Sequence, residues 1–184
     1  GIAVTGLVRR RSNSLAPSVT QVVADLGDLK KVSLHDIDVV VHAAARVHVM
    51  QETSLDPLSD FRKVNVDYTV SLAKMAASHG VKRFVFISSV KVNGENTNFN
   101  EFFTPSDDFI PSDPYGLSKY EAERQLLDYS ARSGLEVVII RPALVYGVGV
   151  KGNFSTLINV VRKSIPLPFR SVCNKRSYVS LDNL

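Results

Sequence analysis

The sequence predicts an α/β fold: a parallel sheet with helices on both faces. Three observations lead there. Short apolar runs alternate with longer segments of helical period, the order that joins parallel strands through crossover helices. One run, residues 38–42, is built on three consecutive valines, as expected of a strand covered on both sides. Finally, Asp56-Pro57 and Asp113-Pro114 each open a helical segment, pairing a side-chain acceptor at the N-cap with a proline whose fixed φ suits the first helical position.

Taken in order, residues 2–8 read as the first strand and residues 21–24, valine-rich and followed by Asp25, Leu26 and Gly27, as the second. Residues 38–42 are the third. After Asp56, the apolar positions Leu58, Phe61, Val64, Tyr68, Leu72, Met75 and Ala76 step by three and four, and Gly80 stops that helix. Residues 81–87 form the fourth strand. The helix opened by Asp113 runs to about Ser133, where Gly134 ends it, and residues 135–140 are the fifth strand. Beyond Arg141 the pattern loosens around Gly147, Gly149 and Gly152, with a helix expected over residues 153–164 and a segment punctuated by Pro166 and Pro168. A domain boundary is expected there, dividing residues 1–145 from 146–184.

Composition narrows the function classes. The 184 residues are 45% hydrophobic and 22% charged, which suits one sizeable core and excludes a disordered or collagenous chain. No apolar run approaches the roughly 18 residues of a membrane span, and Arg9, Arg10 and Arg11 follow the first apolar stretch, the reverse of a secretory signal. The single cysteine, Cys173, forbids an internal disulfide and fits a reducing cytoplasm. His35, His42, His48 and His79 have no spacing suited to zinc, so no metal is expected; His42 reads as a strand-end packing residue. Between Val137 and Leu181 stand seven basic residues, Arg141, Lys151, Arg162, Lys163, Arg170, Lys175 and Arg176, and no acidic one, a segment that should attract a phosphorylated ligand. These residues lack the interleaved aromatic groups that stack on bases, so nucleic acid is not the expected partner.

The chemistry-bearing pattern is Tyr115-Gly116-Leu117-Ser118-Lys119, just inside a capped helix. Tyrosine and lysine four apart share a helix face, and a cation near a phenol favours the phenolate, turning a group of pKa about 10 into a usable acid–base. Ser88 and Ser89 end the fourth strand, at the carboxyl edge where open α/β sheets bind ligands.

With these residues in view, the sequence resembles the extended short-chain dehydrogenase/reductases, in particular their nucleotide-sugar epimerase/dehydratase branch. The resemblance covers nearly all of the chain. It rests on Val41-His42-Ala43-Ala44-Ala45, Asn65, Phe86-Ile87-Ser88-Ser89, the Tyr115/Lys119 motif, Arg141-Pro142 before Val145-Tyr146-Gly147, and residues 176–182. It implies a Rossmann-like, doubly wound sheet in which Ser89 binds the reacting sugar oxygen, Tyr115 exchanges its proton, and Lys119 holds the nicotinamide ribose while lowering the tyrosine pKa. Asp25 and Leu26 would sit at the adenine, Ala43, Ala44 and Ala45 along the cofactor diphosphate and ribose, and Asn65 and Pro142 near the cofactor. Arg176, with Asn153 as a weaker candidate, would clamp the diphosphate of a UDP-sugar. A homodimer is compatible with the family.

The departures from the family pattern carry information too. Dehydratases of the family place an acidic pair just after the serine or threonine; Val90 and Lys91 stand here, which disfavours a 4,6-dehydratase. Tyr68 and Val148 replace a frequent glycine and a frequent proline. Arg9 and Arg10 end the first strand where NAD-using relatives often carry an acid, which favours NADP over NAD. The chain shows no glycine-rich turn with its strand and helix before residue 2, so a first β-α unit of roughly 30 residues is expected to be missing, as is most of the C-terminal substrate lobe. In the strand order 3-2-1-4-5-6 that loss opens the middle of the sheet. The expected activity is UDP-hexose 4-epimerisation through transient oxidation at C4. A 4-keto-sugar nucleotide reductase using NADPH is the alternative, and a noncatalytic binding fragment or regulator is an alternative of another class.

Overall fold

The computed structural model describes residues 1–47, 55–150, 153–166 and 172–184. His48, Lys151, Gly152, Pro168 and Arg170 lie outside the described residues, as does the side chain of Asn153. The chain forms two compact units, Gly1–Ile140 and Arg141–Leu184, so this division falls slightly before the boundary expected after residue 145.

The first unit carries β1(Thr5–Val8), β2(Thr20–Val23), β3(Val39–His42), β4(Arg83–Ile87) and β5(Glu136–Ile140). β1 pairs in parallel with β2, Thr5 opposite Thr20. β3, β4 and β5 form a separate parallel sheet with β4 in the centre, Val39 opposite Arg83 and Arg83 opposite Glu136. No ladder joins β1 to β3 among the described residues.

Most strands are shorter than their apolar runs at the N-terminal end, for reasons of hydrogen bonding. Ile2 is exposed and outside the β1 ladder. The Val81 amide is spent on the Ala76 carbonyl, closing the preceding helix, so the residue cannot enter the sheet although its side chain is buried. Leu135 is likewise buried, while its carbonyl accepts from the Ser130 hydroxyl. Hydrophobicity here marks burial, not ladder membership.

α1(Pro57–Arg62) is capped by Asp56, whose carboxylate accepts from the Ser59 amide at 3.1 Å. It continues through a π-helical turn, Lys63–Asp67, into α2(Tyr68–Ser78), and Gly80, at φ 77°, reverses the chain in a conformation glycine adopts without strain. α3(Pro114–Ser133) starts and stops where the sequence signals do, at the Asp113 cap and at Gly134, φ 74°. The core joins Phe84 and Phe86 of β4 to Leu72, Ala73 and Ala76 of α2 and Leu126 of α3. Burying each phenylalanine is worth about 2–3 kcal/mol. On β3, Val39 and Val41 point away from this core and are 45% and 64% exposed.

The second unit holds β6(Leu144–Tyr146), α4(Asn153–Arg162) and β7(Tyr178–Ser180). β6 and β7 pair in parallel, Leu144 opposite Tyr178, and the Phe154 ring packs on Tyr146 and Tyr178 at 5.6 and 5.4 Å. Three-residue strands are too short to show an alternating pattern, so neither was visible in the sequence. Among the described residues no helix is long and apolar enough to cross a membrane.

Candidate active site

The carboxyl end of β4 and the first turns of α3 build the site. After Ile87 the chain leaves the sheet through Ser88 and Ser89, and the Ser89 side chain caps a 3-10 turn, Val90–Val92, by accepting from the Lys91 amide at 3.3 Å. On α3, the Asp113 carboxylate accepts from the Gly116 amide at 3.0 Å. Gly116 is obligatory there, because a Cβ would stand 2.6 Å from Asp113 Oδ2 and 2.9 Å from Pro111 Cβ. That close approach seats the first turn of α3 against Pro111.

Lys119 is buried, 2% exposed, with its ammonium donating to the Ile87 carbonyl at 2.8 Å and lying 4.4 Å from the Phe86 ring centre. Burial pushes its pKa down to about 8, with Glu123 one turn on pulling the other way. The Tyr115 phenol is held above the ordinary tyrosine range, first by burial and then by the Asp113 carboxylate; the Ser89 hydroxyl and Lys91 oppose them. The direction is opposite to the one expected from a lysine four residues on, because burial of the phenol outweighs the groups that favour its ionisation. Of the two groups that oppose burial, the Ser89 hydroxyl acts more strongly than Lys91.

Four residues, Phe61, Arg46, Asn65 and Ser118, pack and bond around the tyrosine turn. Phe61 meets the Tyr115 ring edge-on at 6.2 Å while the Arg46 guanidinium lies 5.4 Å from its centre. Asn65, buried in the π-helical turn, donates to the Arg46 carbonyl at 3.0 Å and to Ser118 Oγ at 2.9 Å and accepts from the Arg46 amide at 2.8 Å. Ser118 in turn donates to the Tyr115 carbonyl at 2.8 Å. With both amide protons used internally, the Asn65 side chain ties the loop after β3 to the tyrosine turn.

The other sequence candidates spread over the two units. Ala43, Ala44 and Ala45 follow β3 directly, the first two exposed. Asp25 and Leu26 follow β2, where the Asp25 carboxylate accepts from the Gly27 amide at 2.7 Å. Gly27 lies against Tyr68, whose hydroxyl would be 2.8 Å from a Cβ at that position; the tyrosine that replaces a frequent glycine thus packs beside the turn. Arg9 and Arg10 are exposed at the end of β1. Pro142, Asn153 and the exposed Arg176 belong to the second unit.

The residues present fit a dinucleotide. Ser88 Oγ is buried at the strand end without a hydrogen-bond partner, which a buried hydroxyl sustains only at a cost. It stands at the carboxyl edge of a parallel sheet, next to Ile87, whose carbonyl the Lys119 ammonium reaches.

Parallel strands, helices, and a serine, tyrosine and lysine at the carboxyl edge match the pattern of the extended short-chain dehydrogenase/reductases. A family model described as the NAD dependent epimerase/dehydratase family matches residues 1–181, and the chain belongs to that family. It is 52% identical over 166 residues to the UDP-glucose 4-epimerase of Vibrio cholerae, an alignment covering 87% of this chain and 51% of that protein. The chain therefore spans about half the length of this curated relative. Among solved structures it is similar to UDP-glucose 4-epimerase with UDP-glucose from Thermotoga maritima, at TM-score 0.79 and 25% identity, covering 99% of this chain and 62% of that one. It is also similar to dTDP-glucose 4,6-dehydratase from Streptomyces venezuelae with NAD and TYD bound, at TM-score 0.74 and 27% identity, covering 92% and 53%.

Proposed function

We propose that the protein works as a UDP-hexose 4-epimerase. The observation that carries this reading is the Ser89, Tyr115 and Lys119 constellation at the end of β4, on a chain about half identical to an epimerase of that name. When bound, the nicotinamide dinucleotide accepts and returns the hydride of C4. The chain's own residues do the rest. Ser89 Oγ hydrogen-bonds the sugar O4, and Tyr115 Oη takes the O4 proton on oxidation and gives it back on reduction. Lys119 and Ser88 hold the nicotinamide ribose, Ala43, Ala44 and Ala45 line the diphosphate path, and Asp25 and Leu26 flank the adenine. Asn65 keeps the loop after β3 in shape for this. Pro142 stands near the cofactor, and Arg176 with Asn153 holds the substrate diphosphate, guanidinium being a strong partner for phosphate oxygens. Arg9 and Arg10 suit a 2′-phosphate and so extend the cofactor choice from NAD to NADP. The single cysteine, Cys173, exposed and free, suits work in a reducing cytoplasm.

The test is incubation of the protein with UDP-glucose and a trace of NAD, following the anomeric protons by NMR. UDP-galactose should appear with no net cofactor reduction, and Tyr115→Phe should lower kcat by about 10²–10⁴-fold. Stoichiometric NADPH consumption on a 4-keto sugar nucleotide, without interconversion, would identify a reductase instead. Failure to bind either cofactor would leave a noncatalytic binding module.

A further inference from the structure

We propose that Phe86 is a positioning residue for Lys119: its ring, centred 4.4 Å from the ammonium that lies over it, joins the Ile87 carbonyl at 2.8 Å in holding the charged end of Lys119 at the end of β4. Both contacts come from adjacent residues of one strand, a ring face from Phe86 and a backbone oxygen from Ile87. β4 is the central strand of its sheet, with Phe86 opposite His42 of β3 and Ile139 of β5. The Phe86 ring is fully buried and lies nearly parallel to the His42 imidazole, at 17° and 5.9 Å between centres. A ring anchored by pairing on both sides of its strand can restrain a flexible four-carbon side chain.

The ring also offsets part of the cost of burying a charge. Lys119 is 2% exposed, and burial favours the neutral amine. An ammonium has three protons to place. The Ile87 carbonyl takes one, and the negative face of an aromatic ring attracts a desolvated cation more strongly than one in water. Among the described residues, the titratable groups that act on Lys119 are Glu123, one turn further along α3, which favours the ammonium, and His42 of β3, whose protonation the ammonium opposes. With its pKa pushed down to about 4, His42 is neutral where Lys119 titrates, near 8. From β4 come the uncharged ring and carbonyl. Phe86 therefore keeps Lys119 charged and aimed at the strand end, where a ribose hydroxyl would meet it. A leucine there would fill much of the space without offering a negative face.

This inference rests on the proposed function only in taking Lys119 as the residue that holds the ribose, and its test needs neither sugar nor cofactor. Titration of Lys119 is followed by NMR of the protein with isotope-labelled lysine, its signal being the one that Lys119→Arg loses. Phe86 is replaced in turn by phenylalanine carrying one, two and three ring fluorines, which weakens the negative face while leaving size and burial nearly unchanged. The Lys119 midpoint should fall step by step, by about one pH unit in all. Phe86→Leu should lower it by a similar amount, and the fluorinated series decides the matter if that variant does not fold. The same series at Phe84, buried on the same face of β4, should leave the midpoint in place. A midpoint that three fluorines on Phe86 do not move, or that falls as far with fluorines on Phe84, overturns the proposal. So does a fall completed at the first fluorine, which packing alone would produce. A stepwise fall in a protein that turns over no nucleotide sugar leaves the role of Phe86 standing and removes the epimerase reading. An unmoved midpoint in an active epimerase does the reverse.

Discussion

At the end of β3 the His42 imidazole is 3% exposed, 5.9 Å from the rings of both Phe84 and Phe86, and hydrogen-bonded to Thr69 Oγ1 at 2.9 Å. Burial, with the Lys119 ammonium nearby, pushes its pKa down to about 4. A base whose folded pKa lies below its unfolded value contributes stability that is fully present above the unfolded pKa and is lost as pH falls through the folded one. The loss should therefore accumulate between pH 6.5 and 4 and reach on the order of 3 kcal/mol. Urea denaturation at pH 7 and pH 4.5 should show it, and His42→Gln, which cannot gain a proton, should flatten the difference. An equally steep pH dependence in the variant would assign it to other groups. The packing role of His42 was readable from its place after three valines, whereas its proximity to Lys119, 77 residues along the chain, was not.

The longer helix segment teaches a related lesson. Asp56-Pro57 and Gly80 marked its ends, and the three-and-four spacing marked its apolar face. The spacing did not disclose that the helix widens over Lys63–Asp67. A π-helical turn weakens local backbone bonding, and here Asn65 offsets it with three side-chain hydrogen bonds to partners 19 and 53 residues away. Replacing Asn65 by leucine should strand the Arg46 amide and carbonyl and remove the donor to Ser118 Oγ. The expected cost is about 2–4 kcal/mol, read as a lowered urea midpoint at unchanged m-value. A cost under about 0.5 kcal/mol would show that the turn stands without it.

Taken whole, the molecule has a well-anchored centre and lightly held margins. Among the described residues β4 is paired on both sides and buries Phe84 and Phe86, β3 and β5 are paired on one side, and β1 and β2 pair only with each other. Two-stranded pairings are marginal alone. Native-state hydrogen exchange should accordingly find the β4 amides slowest and those of β1 and β2 fastest. Equal protection of β1 and β4 would mean that a ladder or contact joins the two sheets in solution. The parallel pairing was legible because alternating strands and helices admit few topologies, and the strand order followed from the resemblance to a Rossmann-like sheet. The short strands β6 and β7 were not legible, since three residues are too few to show a period of two.

Local signals sufficed for the α/β order, both helix caps and the tyrosine-lysine register, because hydrogen-bond caps and side-chain periodicity act within one or two turns of chain. Which cation reaches which oxygen was decided by folding. The Lys119 ammonium turned to a carbonyl 32 residues away, Lys91 was drawn to the cap of α3 22 residues on, and the phenol took its protonation bias from the groups left facing it. Charge interactions depend on distance and burial in space, and neither is written in the spacing of residues along the chain.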